Sequence, residues 1–289
     1  MVSETEAVEI YRDAIVFDGL NIANWSREIF EAWQQGGITG VSCTCGTLEG
    51  FRGAIANVQS ATAKTAVLLS WQNTAGIEDQ LDYLRVFRDL GVRKMQLTYN
   101  TQNYSGAGYT EIRDSGLTRF GRQVVDEMGR LGIVVDLSHV GPVTSEDVIE
   151  YASKPPCFGH VLPGGLHEHP RNKSNYLLRL IGKKGGFVGI SQFGPHMARG
   201  NESTIDDYVT AVDFVIDLIG EDLVGVGSDA SYARRLTPWG SQTAVKPLGP
   251  LKERPELAKA MARAGWSKSK MQKVLGENWL DYLERIIGE

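Results

Sequence analysis

Two histidines are marked out by where they fall. Ile133-Val134-Val135 runs on to His139, and Cys157-Phe158 runs on to His160. Two acids and a phenol take similar positions after other apolar runs: Glu78 after AVLLSW, Tyr99 at the end of VRKMQLTY, and Asp229 after LVGVGS. Two imidazoles and one carboxylate with an open fourth position form a ligand set of hydrolytic zinc. Glu78, His139 and His160 are therefore candidate ligands for one zinc ion per chain. Such an ion brings the pKa of its bound water to near 7 and polarises a carbonyl oxygen. Asp229, a carboxylate outside that set, could take and return protons. Each residue alone has a plainer role: a hydrogen-bonded strand-end histidine, an acid favoured at a helix N-terminus, a turn or cap aspartate. The weight lies in the joint placement.

Around this set lie further candidates. Arg171 and Asn172 follow His160 on the same loop face. Arg171 has the fork geometry to hold a substrate carboxylate, and a loop-anchoring ion pair is the equal alternative. Asn172 and Tyr99 are candidate substrate contacts, Tyr99 through its phenol hydroxyl. His167 and His169 read as loop residues, and His196 is unassigned. Cys43 and Cys45 share a face of one strand by alternation. A buried inert thiol is the better reading of that pair, and an inward face would bring Cys45 near the site.

These residues need a scaffold that gathers strand ends. The sequence supplies eight short apolar runs: Ile15–Phe17 continuing into Asp18-Gly19-Leu20-Asn21-Ile22, then Ile38–Cys45, Ala66–Trp71, Val92–Tyr99, Ile133–Leu137, Pro156–Gly159, Gly186–Ser191 and Leu223–Gly227. Amphipathic segments alternate with them. Helices are predicted from about Trp25, after Glu78, over Arg119–Leu131, between His139 and His160, and over Asn175–Lys184 and Thr204–Ile219. Two more follow, Glu256–Arg263 and Lys268–Ile287. Near-continuous apolar strands alternating with helices mean a parallel sheet covered on both faces. Eight such units fit a single (β/α)8 TIM-like barrel domain over residues 1–289, whose chemistry lies at the carboxyl ends of the strands. The polar loop from Asn100 to Ser115 is long enough for a binding role.

At 289 residues and 42% hydrophobic the chain can bury a large core. The net charge is −5, and basic residues are dispersed, which excludes an extended nucleic-acid surface. No apolar run reaches the length of a membrane span. An acidic, polar start and three cysteines give neither a secretory signal nor a disulfide framework. The expectation is a cytoplasmic protein acting on a small molecule.

As an ordered set, several motifs resemble the membrane (renal-type) dipeptidase family. They are Gly76-Ile77-Glu78, Leu97-Thr98-Tyr99-Asn100, Gly116-Leu117-Thr118 with Phe120-Gly121, Asp136-Leu137-Ser138-His139, Phe158-Gly159-His160, His169-Pro170-Arg171-Asn172, Gly227-Ser228-Asp229 and Gly276-Glu277-Asn278-Trp279-Leu280. The resemblance implies a barrel of the metal-dependent amidohydrolase type, often a homodimer, that hydrolyses dipeptides at two zinc ions. By motif, Glu78 would bridge the metals, His139 and His160 would ligate one of them, Arg171 would bind the substrate carboxylate, and Asp229 would handle the proton of the attacking water. The family's His-x-Asp on the first strand is here Leu20-Asn21-Ile22, and no histidine precedes His139 to replace it. The family's strand-four histidine is Tyr99. The expected activity is hydrolysis of a small dipeptide or amide at a one-zinc site. A lyase, an isomerase or a non-catalytic binding barrel is the alternative.

Overall fold

The structure is a computed structural model that describes residues 1–23, 27–44, 66–232, 243–248 and 253–288. Nine parallel strands form one sheet: β1 (Phe17–Ala23), β2 (Gly40–Thr44), β3 (Ala66–Trp71), β4 (Val92–Gln96), β5 (Val134–Asp136), β6 (Cys157–Val161), β7 (Phe187–Ile190), β8 (Val224–Val226) and β9 (Ala230–Tyr232). Each of β1 to β8 pairs with the next in sequence up to β7–β8, while β9 pairs with β1. Only Gly227-Ser228-Asp229 separates β8 from β9. They are two halves of one interrupted eighth strand, one half on each open edge, and the ring closes through them. The expected (β/α)8 barrel is present.

Helices α1 (Glu4–Asp13), α2 (Arg27–Gln35), α3 (Tyr83–Asp89), α4 (Arg119–Leu131), α5 (Pro142–Tyr151), α6 (Asn175–Lys183), α7 (Ile205–Ile219), α8 (Glu256–Arg263), α9 (Lys268–Gln272) and α10 (Asn278–Ile287) complete the described fold. Their ends are set locally. Thr118 accepts from the Gly121 N–H at the start of α4, and Gly132 ends that helix at φ 66°. A reciprocal Thr204–Asp207 capping box opens α7. A Ser3–Glu6 box does the same for α1, a helix not among those predicted. The predicted Lys268–Ile287 helix is broken by one π turn, Lys273–Glu277.

That turn explains the closing motif. A side chain at Gly276 would strike the Ile15 carbonyl, so glycine lets the helix approach the first strand. Asn278 then donates to Glu221 O and Val224 O at 2.7 and 2.9 Å. Trp279 donates its indole N–H to Val226 O at 2.7 Å. Its ring plugs the foot of the barrel beside Phe17, Val134, Cys157 and Phe187. Gly19, Gly189 and Gly225 face that ring so closely that a Cβ on any of them would meet it. Above the plug, Lys94 crosses the lumen from β4 to donate to Gly19 O of β1 at 2.5 Å, and it lies 3.4 Å from Asp136 of β5. A polar, charged floor thus sits directly under the strand ends.

Candidate active site

His139 and His160 converge at the carboxyl ends of β5 and β6, with their Nε2 atoms 3.0 Å apart. The Asp-Leu-Ser-His motif arranges this. Asp136 Oδ1 accepts from the Ser138 N–H, the Ser138 hydroxyl and the Gly159 N–H, while Ser138 Oγ accepts from the His160 N–H at 3.0 Å. One carboxylate therefore ties the two histidine-bearing strand ends together.

Three consecutive residues strap them from above. Arg171 donates to Ser138 O and, at 3.0 Å, to His160 O. Lys173 donates to Val140 O at 2.6 Å. The peptide is thus gripped on both sides of His139. Asn172 joins the carbonyls of His167 and His196 at 2.9 and 3.0 Å. In this geometry Arg171 is first a strap, only 3% exposed, and an anion would have to use its remaining N–H groups. Asn172, expected to touch substrate, ties two loops together.

Burial, with the Arg171 guanidinium next in weight, holds both histidines well below the ordinary imidazole range, so both are neutral at pH 7. Asn100 Oδ1 lies 2.6 Å from His139 Nδ1. An acceptor there puts the hydrogen on Nδ1 and leaves a lone pair on Nε2. His160 Nδ1 is buried without a partner. Tyr99 stacks on the His139 ring at 4.4 Å, and Tyr109 flanks it at 6.1 Å. Burial and the nearby Asp229 raise the Tyr99 phenol, which stays protonated.

Asp229 occupies the break between β8 and β9 at φ 57°. Burial pushes its carboxyl up to about 7, with Arg171 pulling down and Asp18 and Asp136 pushing up. Glu78, Asn100 and Asp229 are the described non-glycine residues with positive φ. All three follow strand ends on the same face of the barrel, where such strain tends to collect. At Asn100 a glycine makes it possible: a Cβ on Gly108 would overlap the Asn100 carbonyl.

Glu78, expected as the third ligand, is not gathered with the two histidines in this structure. After β3 the chain makes a 3₁₀ turn, Thr74–Ile77, pinned by Asn73, which accepts from Ala75 N, and by Asn103, which donates to Asn73, Thr74 and Leu97 O. Glu78 leaves that turn at φ 55° and is exposed, lining a polar groove with Asp79, Gln102 and Tyr104. Among the described residues no group of three His, Cys, Asp or Glu could hold a metal. Two convergent neutral imidazoles do suit one ion: 3.0 Å is close to the roughly 3.3 Å kept by two nitrogens on one tetrahedral zinc. On the first strand Leu20 is fully buried, and neither it nor Ile22 has a side-chain atom that can ligate. Cys43 is fully buried in the main apolar core. Cys45 lies outside the described residues.

The profile of the Membrane dipeptidase family (Peptidase family M19) matches residues 52–287. The chain belongs to the membrane dipeptidase family. The matched span begins after β1, so the Leu20–Ile22 departure lies outside it. An amidohydrolase from Pseudomonas aeruginosa is 40% identical, covers 98% of this chain and 99% of its own, and superposes with a TM-score of 0.91. A metallo peptidase from Rhodobacter sphaeroides, solved with a phosphinate mimic of the dipeptide L-Ala-D-Ala, shares the fold at a TM-score of 0.82 and 21% identity, over 95% of this chain and 100% of its own. Dipeptidase 3 of Rattus norvegicus is 29% identical over 78% of this chain and 46% of its own length, so the chain spans about half of that curated relative. No helix among the described residues of this dipeptidase-family chain is long and apolar enough to cross a membrane.

Proposed function

We propose that the chain is a metal-dependent hydrolase of a small dipeptide- or amide-type substrate, and that it works with one ion held at the His139–His160 pair. The observation that carries this is the convergence of two neutral Nε2 atoms at 3.0 Å at the strand ends. A bound zinc there would polarise the scissile carbonyl and acidify a water. The protein's own groups supply the rest. Asp229, with a pKa of about 7, can accept the proton of the attacking water and return it to the leaving amine. Tyr99 and Tyr109 wall the His139 side and present phenol hydroxyls to a peptide-sized ligand. Arg171 supplies positive charge for a substrate carboxylate. The family's two-ion pattern is replaced, since Leu20 fills the place of one ligand.

Protein purified without chelator should carry about one tightly bound divalent ion per chain, and His139→Ala should lose it. A screen of dipeptides and N-acyl amino acids with zinc, manganese or cobalt should then show turnover. Substantially less than one ion per chain, or full metal content in His139→Ala, would sink the one-ion reading. The buried Leu20 favours one second reading, a lyase, an isomerase or a binding barrel that has lost peptidase chemistry. Thermal stabilisation by screened compounds without any turnover would select it.

A further inference from the structure

We propose that Asp18 of β1 is a positioning residue for the reaction, holding the Gly227-Ser228-Asp229 break and with it the placement of Asp229. This rests on the reading of Asp229 as the proton carrier.

Asp229 sits between β8 and β9 at φ 57°. Strained backbone of that kind persists only where its surroundings over-determine it. Here the end of β1 does so. Asp18 Oδ1 accepts from the Ser228 N–H at 2.8 Å and from the Leu20 N–H at 3.3 Å. Asp18 Oδ2 accepts from the Asn21 amide at 2.5 Å. Leu20 O then accepts from the Asp229 N–H and from the Ser228 hydroxyl, each at 3.2 Å. Ser228 Oγ in turn accepts from the Ala230 N–H at 3.2 Å.

The bond to Ser228 is one that the sheet does not supply. Pairing of β1 with β9 begins at Asn21 and Ala230, beyond the break. Asp18 and Ser228 are 2% and 1% exposed, so the Ser228 N–H has no ready solvent partner in place of the carboxylate. The β1 end, which offers no metal ligand at Leu20 or Ile22, is the frame of Asp229.

Asp18 also acts through its charge. Burial is the main cause of the raised Asp229 carboxyl, Arg171 of the strap opposes it, and Asp18 and Asp136 of β5 add to it. The Tyr99 phenol after β4 faces the same carboxyl.

The test uses the full chain with carboxyl-labelled aspartate, and follows Asp229 by carbon NMR, its signal identified by its absence in Asp229→Asn. Asp18→Asn keeps an oxygen for the Ser228 N–H and removes the charge. It should lower the Asp229 titration by about one pH unit and leave the Ser228 N–H protected from hydrogen exchange. Asp18→Ala removes the acceptor as well. Its Ser228 N–H should exchange about 10- to 100-fold faster. On the dipeptide that the screen shows to be turned over fastest, Asp18→Ala should lose about 10- to 100-fold in kcat, with KM and zinc content unchanged and a smaller loss in Asp18→Asn. A side chain that only stabilises the fold would lower the thermal midpoint and leave the Asp229 titration in place. An unmoved titration in Asp18→Asn, unmoved Ser228 exchange in Asp18→Ala, or an equal kcat loss in the two variants would overturn the assignment. Should Asp18→Ala not fold, the Asp18→Asn titration decides alone. Full turnover by Asp229→Asn would overturn it differently, by removing the proton-carrier reading beneath it.

Discussion

His139 is held from both ends: its Nε2 faces His160 Nε2 at 3.0 Å and its Nδ1 faces Asn100 Oδ1 at 2.6 Å. The second contact sets the chemistry of the first, because an acceptor at Nδ1 leaves the Nε2 lone pair exposed toward His160. Asn100 sits at φ 62° to make this contact. Asparagine tolerates that backbone better than most residues, so the residue type answers two demands.

Removing the amide should therefore weaken metal binding while the ligands themselves stay in place. Asn100→Ala is expected to lower zinc affinity by about 10- to 100-fold, as loss of a ligand-orienting partner does elsewhere. Competition with a chromophoric chelator measures this directly. Unchanged affinity would mean that His139 is oriented by its stacking on Tyr99 alone.

Asp229 gives a pH prediction with a definite sign. As the proton acceptor it must be ionised, so kcat/KM should rise with pH through about 7 and then level. Asp229→Asn should remove that limb along with most activity. Stability runs the other way. The folded pKa of about 7 lies above the ordinary 3.8, so the native state keeps a proton that the unfolded chain has already lost. Stability from this group is complete below pH 4 and falls as pH rises toward 7. Asp229→Asn should then stabilise the fold at pH 8 by about 1–3 kcal/mol, with solvent access discounted, and change little at pH 4. Denaturation curves at the two pH values check it; equal effects at both would remove the desolvated carboxyl from the account.

The Lys94–Asp136 contact is a third test. Both side chains are at most 2% exposed and lie 3.4 Å apart inside the barrel. Lys94→Met leaves a buried carboxylate without its cation and should cost about 3–5 kcal/mol. Adding Asp136→Asn should recover part of that loss, since the amide carries no charge to strand. A single substitution costing under about 1 kcal/mol would show that water reaches the pair.

What could be read in advance follows from range. The strand and helix order was visible because apolar runs and amphipathic periods are local, and α4 came out at its exact limits because Thr118 and Gly132 cap it locally. The split of the eighth strand was not visible, since it depends on β8 and β9 meeting opposite edges of the sheet. Lys94, in the run VRKMQ, looks solvent-facing until Asp136 and Gly19 O arrive from other strands. The direction of Glu78 was not legible, because it is set by one positive φ after a 3₁₀ turn. Tyr109 has no local mark beyond lying in a long polar loop; the bond from its N–H to His139 O and its ring beside that histidine place it at the site. The convergence of His139 with His160 was legible because both close adjacent parallel strands.

Arg171 separates two roles by kinetics. As a strap it binds Ser138 O and His160 O through two different nitrogens of a planar fork. Lysine offers one nitrogen and cannot span both carbonyls. Arg171→Lys should therefore let the His139 and His160 strand ends move apart, lowering kcat about 10- to 100-fold, the scale set by a misplacement near 1 Å, with a smaller change in KM. A residue whose main task is to hold the substrate carboxylate predicts the reverse, a large rise in KM for carboxylate substrates and none for their amides. Comparing a dipeptide with its C-terminal amide in wild type and Arg171→Lys decides between them. If the loss follows the carboxylate, the strap is secondary. If it is equal for both substrates and accompanied by weaker zinc binding, the guanidinium acts through the histidines it holds.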